Sequence, residues 1–336
     1  MLKFKIQIAS LQLFITCIGI SATDIVAQNT FNAINSLFQD NCTISCHSGA
    51  SPTGNLDLSA SLSTVYSKLV NVNPTNPAAA AKGDKLIDPG YPHRSFLLRK
   101  CNNGLDPDNG IVAAEGVAMP NTQPALKNQE IELIRQWILQ GAPQSGNVVD
   151  TAVINTYYRG KGINSIPIPP PAPTTPGSFQ IHLGKIFVAP ASEAEYFIKY
   201  DLKLLDTVKA NRINATIAPQ SHHFIIYKFL PGTASSFQEG LRLLNPATGM
   251  GSSTGNNTLV SAWQISRNDS LPPNTAYLWE KSSVLDFNYH IPNFNPDSVL
   301  GVDVYMDVYT EPKTSSSDIM YSSIITDINL FINNDN

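Results

Sequence analysis

Residues that could attach a cofactor cluster near the start of the chain. Cys42 and Cys46 are separated by three residues, and His47 follows directly. Two thiols can add to the two vinyl groups of a porphyrin, and an imidazole beside the second thiol can reach the iron from the same side. The usual spacing has two residues between the thiols, so the extra residue here must bulge. The pattern predicts a covalently attached haem c on Cys42, Cys46 and His47.

A methionine further along the chain is a candidate second axial ligand. Met119 precedes Pro120 in a predicted loop, and only five methionines occur in the chain. Its thioether would complete His/Met ligation, which raises the reduction potential of a haem and suits electron transfer. Other interpretations are a chain without a bound group, or a disulfide between Cys42 and Cys46 or from either to Cys101. If the haem interpretation holds, Cys101 has no assigned role and can be a buried free thiol.

Three histidines in the second half of the chain form another candidate site. His222 and His223 are adjacent, and His290 ends a later strand-like run. Neighbours in a strand point to opposite faces, so the adjacent pair can meet at one ion only where the strand start is bulged or twisted. Three neutral imidazoles suit copper or zinc. A structural role is the alternative, because His93 and His182 show that histidines also occur singly here.

The elements that position these residues differ between the two halves. Residues 30–39 and 128–140 have the apolar periodicity of amphipathic helices, and residues 48–125 between them are rich in Gly, Pro and Asn. So long a loop-rich stretch indicates that something besides apolar burial, such as a cofactor, organises it. Residues 163–177 form a proline-rich linker. Short alternating runs then predict an antiparallel β-sandwich or jelly roll, with strands over residues 186–188, 196–204, 224–229, 284–289, 302–309 and 324–332.

The first residues and the charge balance predict the compartment and exclude one class of partner. Residues 1–5 are basic, 6–20 are apolar and 21–27 are small or polar, which is typical of a signal peptide cleaved after Ala22 or Ala27. An uncleaved N-terminal anchor is the alternative, and no later segment is apolar enough to cross a bilayer. A net charge of −4 with 14% charged residues leaves no basic stripe for nucleic acid. We expect an exported protein located in the periplasm, at the cell surface or outside the cell.

The first half resembles a family of exported bacterial cytochrome c domains. The matching stretches are residues 42–49 with 54–59, residues 89–100, Met119-Pro120 and residues 131–142. The resemblance implies a small all-α fold around haem c and a function in electron transfer.

Residues 180–332 look like the first catalytic-core domain of the copper type II, ascorbate-dependent monooxygenases, the family of peptidylglycine α-hydroxylating monooxygenase and dopamine β-monooxygenase. The matching pieces are residues 221–227, 261–263, 271–272, 288–290, 301–309 and 324–332. The resemblance implies that His222, His223 and His290 bind the electron-storing copper of that family.

The chain departs from the monooxygenase pattern in its catalytic half. The family has a second jelly roll with a His-x-His pair and a methionine at the oxygen-activating copper, whereas this chain has no His-x-His and stops at Asn336. No cysteine follows Cys101, so the disulfides typical of the animal enzymes are absent. We therefore expect the hydroxylating centre to be on another polypeptide, lost or truncated away, and whether this chain forms part of an enzyme stays open.

Together these features predict a multidomain protein. Its expected parts are a signal peptide (1–27), a small all-α cytochrome c-like domain (29–148), a proline-rich linker (149–177) and an all-β jelly-roll sandwich (178–336). The predicted function is the passage of single electrons between haem and a tris-histidine copper, with a redox partner protein or a small reductant completing the circuit. The alternatives are a cytochrome tethered to a non-catalytic binding module, for example for glycans, and a truncated, inactive monooxygenase.

Overall fold

A computed structural model describes residues 29–243 and 255–322. The predicted signal peptide, residues 1–27, and the predicted strand over 324–332 lie outside this range. The α-helices within it are α1 (Thr30–Asn41), α2 (Leu62–Leu69), α3 (Pro77–Ala81), α4 (Phe96–Cys101), α5 (Asn128–Leu139) and α6 (Thr151–Thr156). The strands are β1 (Gly162–Asn164), β2 (Phe179–Val188), β3 (Ser192–Asp201), β4 (Val208–Thr216), β5 (His223–Phe229), β6 (Gly240–Leu243), β7 (Asn257–Trp263), β8 (Arg267–Ser270), β9 (Thr275–Trp279), β10 (Val284–Asn293), β11 (Val299–Pro312) and β12 (Asp318–Ile319).

The two amphipathic helices expected from the sequence are confirmed as α1 and α5. Both bury the apolar face that their periodicity defines, with Phe31 and Ile34 of α1 and Ile134 and Trp137 of α5 fully enclosed. The rings of Phe31 and Trp137 stack with their centroids 5.2 Å apart. This pair joins the first and last large helices of residues 29–148 and closes the smaller of the two cores.

The strands form two sheets that enclose the larger core. One sheet has the order β1-β11-β4-β9-β12, with β2 also on β11 and β8 on β4, and the other has the order β6-β3-β10-β5-β7. Side chains alternate between the faces of each strand, so β10 sends Phe287, Tyr289 and Ile291 into the core. Asn288 and His290 lie between these residues and therefore face the other side of the sheet.

The prediction of a separate all-α domain followed by an all-β jelly roll is wrong. Strands make up 31% and helices of all types 24% of the described residues, so the protein is sheet-rich, with its helices packed onto the sheets. The second face of α5 provides one such contact. Arg135 and Gln136 donate hydrogen bonds to the carbonyl of Lys185 in β2 at 2.7 and 2.6 Å, and Leu139 packs into the core of the sheets. A polar helix face that would be solvated in a free-standing domain is thus buried against the sheet.

A second contact joins the segment before α4 to strand β3. The hydroxyl of Tyr91 donates to Glu239 Oε2 at 3.1 Å and accepts from the N–H of Asp201 at 2.9 Å, and Arg94 donates to the carbonyl of Asp201. At the same junction the backbones of Gly90 and Gly240 touch, because a Cβ added to Gly90 would lie 2.7 Å from the Cα of Gly240. So close an approach is open only to residues without a side chain.

The segment predicted as a linker, residues 149–177, includes ordered elements. It contains α6, and β1 pairs in parallel with β11 through Gly162 and Val299. The domain boundaries given above stay a prediction. Within the described residues, no helix combines the length and apolar character needed to cross a bilayer.

Candidate metal centre and cofactor cavity

The three predicted histidines meet on the outer face of the five-stranded sheet. His223 begins β5 and is the register partner of His290 in β10. His222 lies just before β5, where its N–H donates to the carbonyl of His290 at 3.0 Å. Because His222 lies outside the regular strand, its side chain does not have to alternate with that of His223. Both imidazoles can therefore lie on the same face of the sheet.

The imidazoles are close enough to share one ion. Ring centroids lie 5.4 Å apart for His222 and His223, 4.7 Å for His222 and His290, and 5.3 Å for His223 and His290. One ring nitrogen from each residue lies within 4.8 Å of the others, and His222 is exposed while the other two are half-buried. Three nitrogen ligands on the outer face of a sheet, reachable from solvent, fit copper or zinc.

A buried asparagine fixes the orientation of one ligand. The amide nitrogen of Asn288 donates to Glu195 Oε1 at 2.9 Å. The amide oxygen, Oδ1, is therefore on the other side and accepts from Nε2 of His223 at 2.8 Å. His223 therefore carries its proton on Nε2, which leaves the Nδ1 lone pair for a metal. Hydrogen bonds of this kind set the tautomer and the ring angle of histidine ligands. Oε2 of Glu193, on a mostly exposed side chain, lies 3.4 Å from Nε2 of His290.

A cleft of about 670 Å³ reaches this centre from the helical side. His290, Glu193 and Glu195 line it together with residues of α5, α6, β2 and β6. A small molecule could therefore approach the histidines through the junction between helices and sheet.

The predicted haem residues line a second cavity, of about 680 Å³, within residues 29–148, the helical part of the chain. Cys42, Cys46, His47 and Met119 all face it, together with Cys101 and apolar residues of α1 and α4. The volume is in the range of cofactor sites, which are concave and mostly apolar with a few polar groups. The chain thus brings all four predicted residues to one cavity.

The segment from Cys42 to His47 forms a tight turn. Ser45 adopts a positive φ of 74°, which few residues other than glycine, asparagine and aspartate occupy. The N–H of His47 donates to the carbonyl of Cys42 at 3.1 Å and closes the turn. Nδ1 of His47 lies 3.1 Å from the carbonyl of Leu56, which can only accept, so Nδ1 carries a proton. In the neutral imidazole the lone pair is then on Nε2, the nitrogen that a haem iron would bind.

A buried ion network braces the loop that carries Met119. The N–H of Met119 donates to the carbonyl of Lys100 at 2.7 Å. Next to it, Arg99 bonds to Glu115 at 2.5 and 2.8 Å and also to Asp84, and all three side chains are nearly inaccessible. Hydrogen bonds from Arg99, aided by others from Val112 and Lys82, lower the pKa of Glu115 to about 2. The ionised network holds residues 110–119 against α4.

The three cysteines in the described range are free thiols. Burial, with a smaller contribution from Cys46, raises the pKa of Cys42 to about 11. Burial also raises the pKa of Cys101 to about 12, with a contribution from Cys42. Cys101 is thus a buried thiol in the wall of the cavity, close enough to Cys42 for their charges to interact.

The residues present fit both expected groups, and two functional candidates were missed from the sequence. The cavity offers two thiols, an imidazole nitrogen and a thioether, which are the donors of a His/Met haem c. No role was predicted for Glu195 and Asn288 from the sequence. The two-residue spacing between Asn288 and His290 nevertheless places Asn288 and His290 on one strand face. Comparison with protein-family models and with curated proteins gave no match.

Proposed function

We propose that this chain is an exported electron-transfer protein that carries haem c in the helical cavity and copper on the three histidines, and passes single electrons between them. The observation that carries the copper half is the convergence of His222, His223 and His290, with ring nitrogens within 4.8 Å of one another. The observation that carries the haem half is the single cavity lined by Cys42, Cys46, His47 and Met119. The two resemblances in the sequence support the same pair of cofactors.

The chain's own residues prepare the copper site for a one-electron role. A tris-imidazole site has neutral ligands, so the ion keeps its full charge, and copper there supplies reversible one-electron chemistry. Glu195 and Glu193 lie 3.5 and 3.4 Å from His223 and His290 and would offset that charge from outside the ligand sphere. Asn288, held by Glu195, accepts the hydrogen bond from Nε2 of His223. Nδ1, on the other side of the same ring, is therefore left for the metal.

Hydrogen bonds hold the candidate haem ligands of the helical cavity in place. His47 is held by Leu56, and the Met119 loop is held by Lys100 and by the Arg99 network. A haem in this cavity supplies one-electron chemistry at a raised potential when a methionine is the second ligand. Rigid ligands suit electron transfer because little rearrangement accompanies the change of oxidation state.

The cleft beside His290 offers a route for a small reductant or substrate. It opens between α5, α6 and the outer face of the five-stranded sheet. A small reductant bound in this cleft would lie beside His290, one of the three residues that would hold copper, and a redox partner protein would exchange electrons with a haem held by His47 and Met119. Monooxygenase chemistry would require a second copper centre in addition to the three histidines.

Haem attachment is tested on protein produced with a cytochrome c maturation system. We expect haem staining to survive denaturing electrophoresis, and the reduced protein to show the sharp visible bands of a low-spin haem. The double variant Cys42→Ala/Cys46→Ala should lose the stain, and Cys101→Ser, which alters the same cavity wall, should keep it. Unstained wild-type protein would refute the haem half of the proposal.

Copper binding is tested on the full-length protein by metal analysis and electron paramagnetic resonance. We expect one copper per chain, with nitrogen hyperfine structure, and its loss in His222→Ala. This residue is exposed, so its removal should leave the fold intact. If the protein binds zinc but takes up no copper under either reducing or oxidising conditions, the copper half of the proposal is contradicted. The haem half would still stand.

A further inference from the structure

A third group of potential ligands lies where the helical part meets the sheet, away from both proposed cofactors. Asp106 and Asp108 sit on a short turn after α4, and His182 lies in β2. One oxygen from each carboxylate and one nitrogen of the imidazole are within 4.8 Å of one another. The three residues come from two distant segments that meet only in the folded protein.

The imidazole of His182 is held as metal-bound histidines are held. Its Nε2 lies 2.9 Å from Oδ1 of Asp303, and its ring stacks on Tyr305 with centroids 4.3 Å apart. A carboxylate on one ring nitrogen fixes the tautomer and leaves the other nitrogen available, an arrangement characteristic of histidine ligands to metals. The other oxygen of Asp303 accepts from Lys185 at 2.8 Å.

The charges around His182 favour a cation. Three carboxylates lie around this imidazole: Asp303 is 2.9 Å from its Nε2, and Asp106 and Asp108 each place an oxygen within 4.8 Å of one ring nitrogen. Their negative charges converge on one place.

The nearby basic groups are already engaged. Lys185 is paired with Asp303, and Arg135 is paired with Glu132. Within residues 29–243 and 255–322, Asp106 and Asp108 have no ion pair of their own. Two carboxylates this close repel each other unless a cation lies between them.

The turn that presents the carboxylates is fixed by a buried side chain. Asn102 accepts from the N–H of Asp106 at 2.8 Å and donates to the carbonyls of Asp106 and Asn109 at 2.6 and 3.2 Å. The N–H of Asp108 donates to Oδ1 of Asp106 at 3.2 Å. Both carboxylates are therefore held on the side of the turn that faces His182.

We propose that Asp106, Asp108 and His182 bind a divalent cation of the zinc class, which joins the turn after α4 to strand β2. One imidazole nitrogen and two carboxylate oxygens match the ligands that zinc accepts, at distances of about 2.0–2.2 Å reached by small side-chain rotations. The remaining positions would be taken by water, since Asp108 is exposed. The site does not depend on the proposed haem or copper.

The test uses full-length protein in which His222→Ala and His290→Ala remove the competing histidine centre. After treatment with a chelator, zinc is titrated and followed by calorimetry, with thermal unfolding as a second measurement. We expect one zinc per chain and a rise in Tm with zinc. Asp106→Asn/Asp108→Asn should weaken zinc binding at least 100-fold, and the exposed control Asp206→Asn should leave it unchanged.

A sign reversal separates a metal site from a purely polar cluster. Without zinc, Asp108→Asn relieves repulsion and should raise Tm, whereas in zinc-saturated protein the same change should lower it. Asp303→Asn should weaken zinc binding about 10–100-fold while all three ligands remain. The proposal is overturned if the protein lacking the histidine centre binds no zinc, or if Asp106→Asn/Asp108→Asn binds it as tightly as before.

Discussion

His223 and His290 are register partners on adjacent antiparallel strands, and His222 donates its N–H to the carbonyl of His290. The pairing of β5 with β10 thus determines the geometry of the candidate copper site. A slip of one residue in this register would move His223 to the opposite face from His290. The same register places Asn288 beside His223, so the outer hydrogen bond and the ligands depend on one strand pair.

Asn288 is expected to act as a positioning residue for the metal. Asn288→Ala removes the acceptor for Nε2 of His223 and frees the ring to rotate, so copper affinity should fall about 10–100-fold. The electron paramagnetic resonance spectrum should broaden because the ligand geometry becomes less uniform. The matched change Asn268→Ala, on exposed β8, should affect neither measurement. Unchanged copper affinity in Asn288→Ala would mean that the hydrogen bond is only structural.

Glu115 is expected to be the most costly single carboxylate to remove from the helical part. Glu115→Gln leaves the buried guanidinium of Arg99 with only Asp84 as a charged partner, and breaking a buried pair in this way costs about 3–5 kcal/mol. Urea unfolding of the full chain measures this loss. Glu130→Gln, at a partly exposed helix start, is the control and should cost less than about 1 kcal/mol. Equal costs for the two changes would argue against the network.

The same carboxylate predicts a pH dependence of stability. Because the pKa of Glu115 is lowered to about 2 from its ordinary 4.5, its contribution is complete above pH 4.5 and is lost as the pH falls towards 2. Wild-type protein should lose stability over this window more steeply than Glu115→Gln. Denaturant midpoints measured between pH 5 and pH 2 compare the two slopes, and parallel slopes would contradict the assignment.

The contact between helices and sheet should depend on the absence of a side chain at Gly90. Gly90 and Gly232 both have positive φ, 84° and 81°, but only Gly90 faces the backbone of Gly240. Both alanine variants should lose about 1 kcal/mol of unfolding free energy, because alanine is strained in the left-handed backbone region. Gly90→Ala should lose a further 1–3 kcal/mol, because its Cβ clashes with the backbone of Gly240.

The unfolding curves also test how the helices are joined to the sheet. We expect one cooperative transition in wild-type protein, because α5 shares buried contacts with both cores, and a broader or split transition in Gly90→Ala. Similar losses and equally sharp transitions in the two variants would show that the junction is loosely packed.

The thiol of Cys101 should react slowly in haem-free protein. With its pKa raised to about 12 from 9.0, almost none is thiolate at neutral pH, and alkylation should accelerate as the pH rises towards 12. Peptide mass spectrometry after iodoacetamide treatment follows this residue separately from Cys42 and Cys46. In urea its rate should rise to that of an ordinary thiol. Fast alkylation of folded protein at pH 7 would indicate that the cavity wall is open.

Local signals in the sequence were sufficient for several parts of this protein. The apolar periodicities around Phe31 and Trp137 predicted α1 and α5, because a helix buries one face wherever it packs. The Cys42–His47 motif and the adjacent pair His222 and His223 were visible because their chemistry depends on near neighbours in the chain.

Only the tertiary structure decided how the parts meet. The polar face of α5 appears solvated in sequence, yet Arg135 and Gln136 are buried against Lys185 of β2. The roles of Asn288 and Glu195, and the meeting of Asp106 with His182, likewise depend on contacts between distant segments. Hydrophobic periodicity reports which face of an element is buried by its nearest core, but it carries no information about a second surface that packs on a polar face through hydrogen bonds.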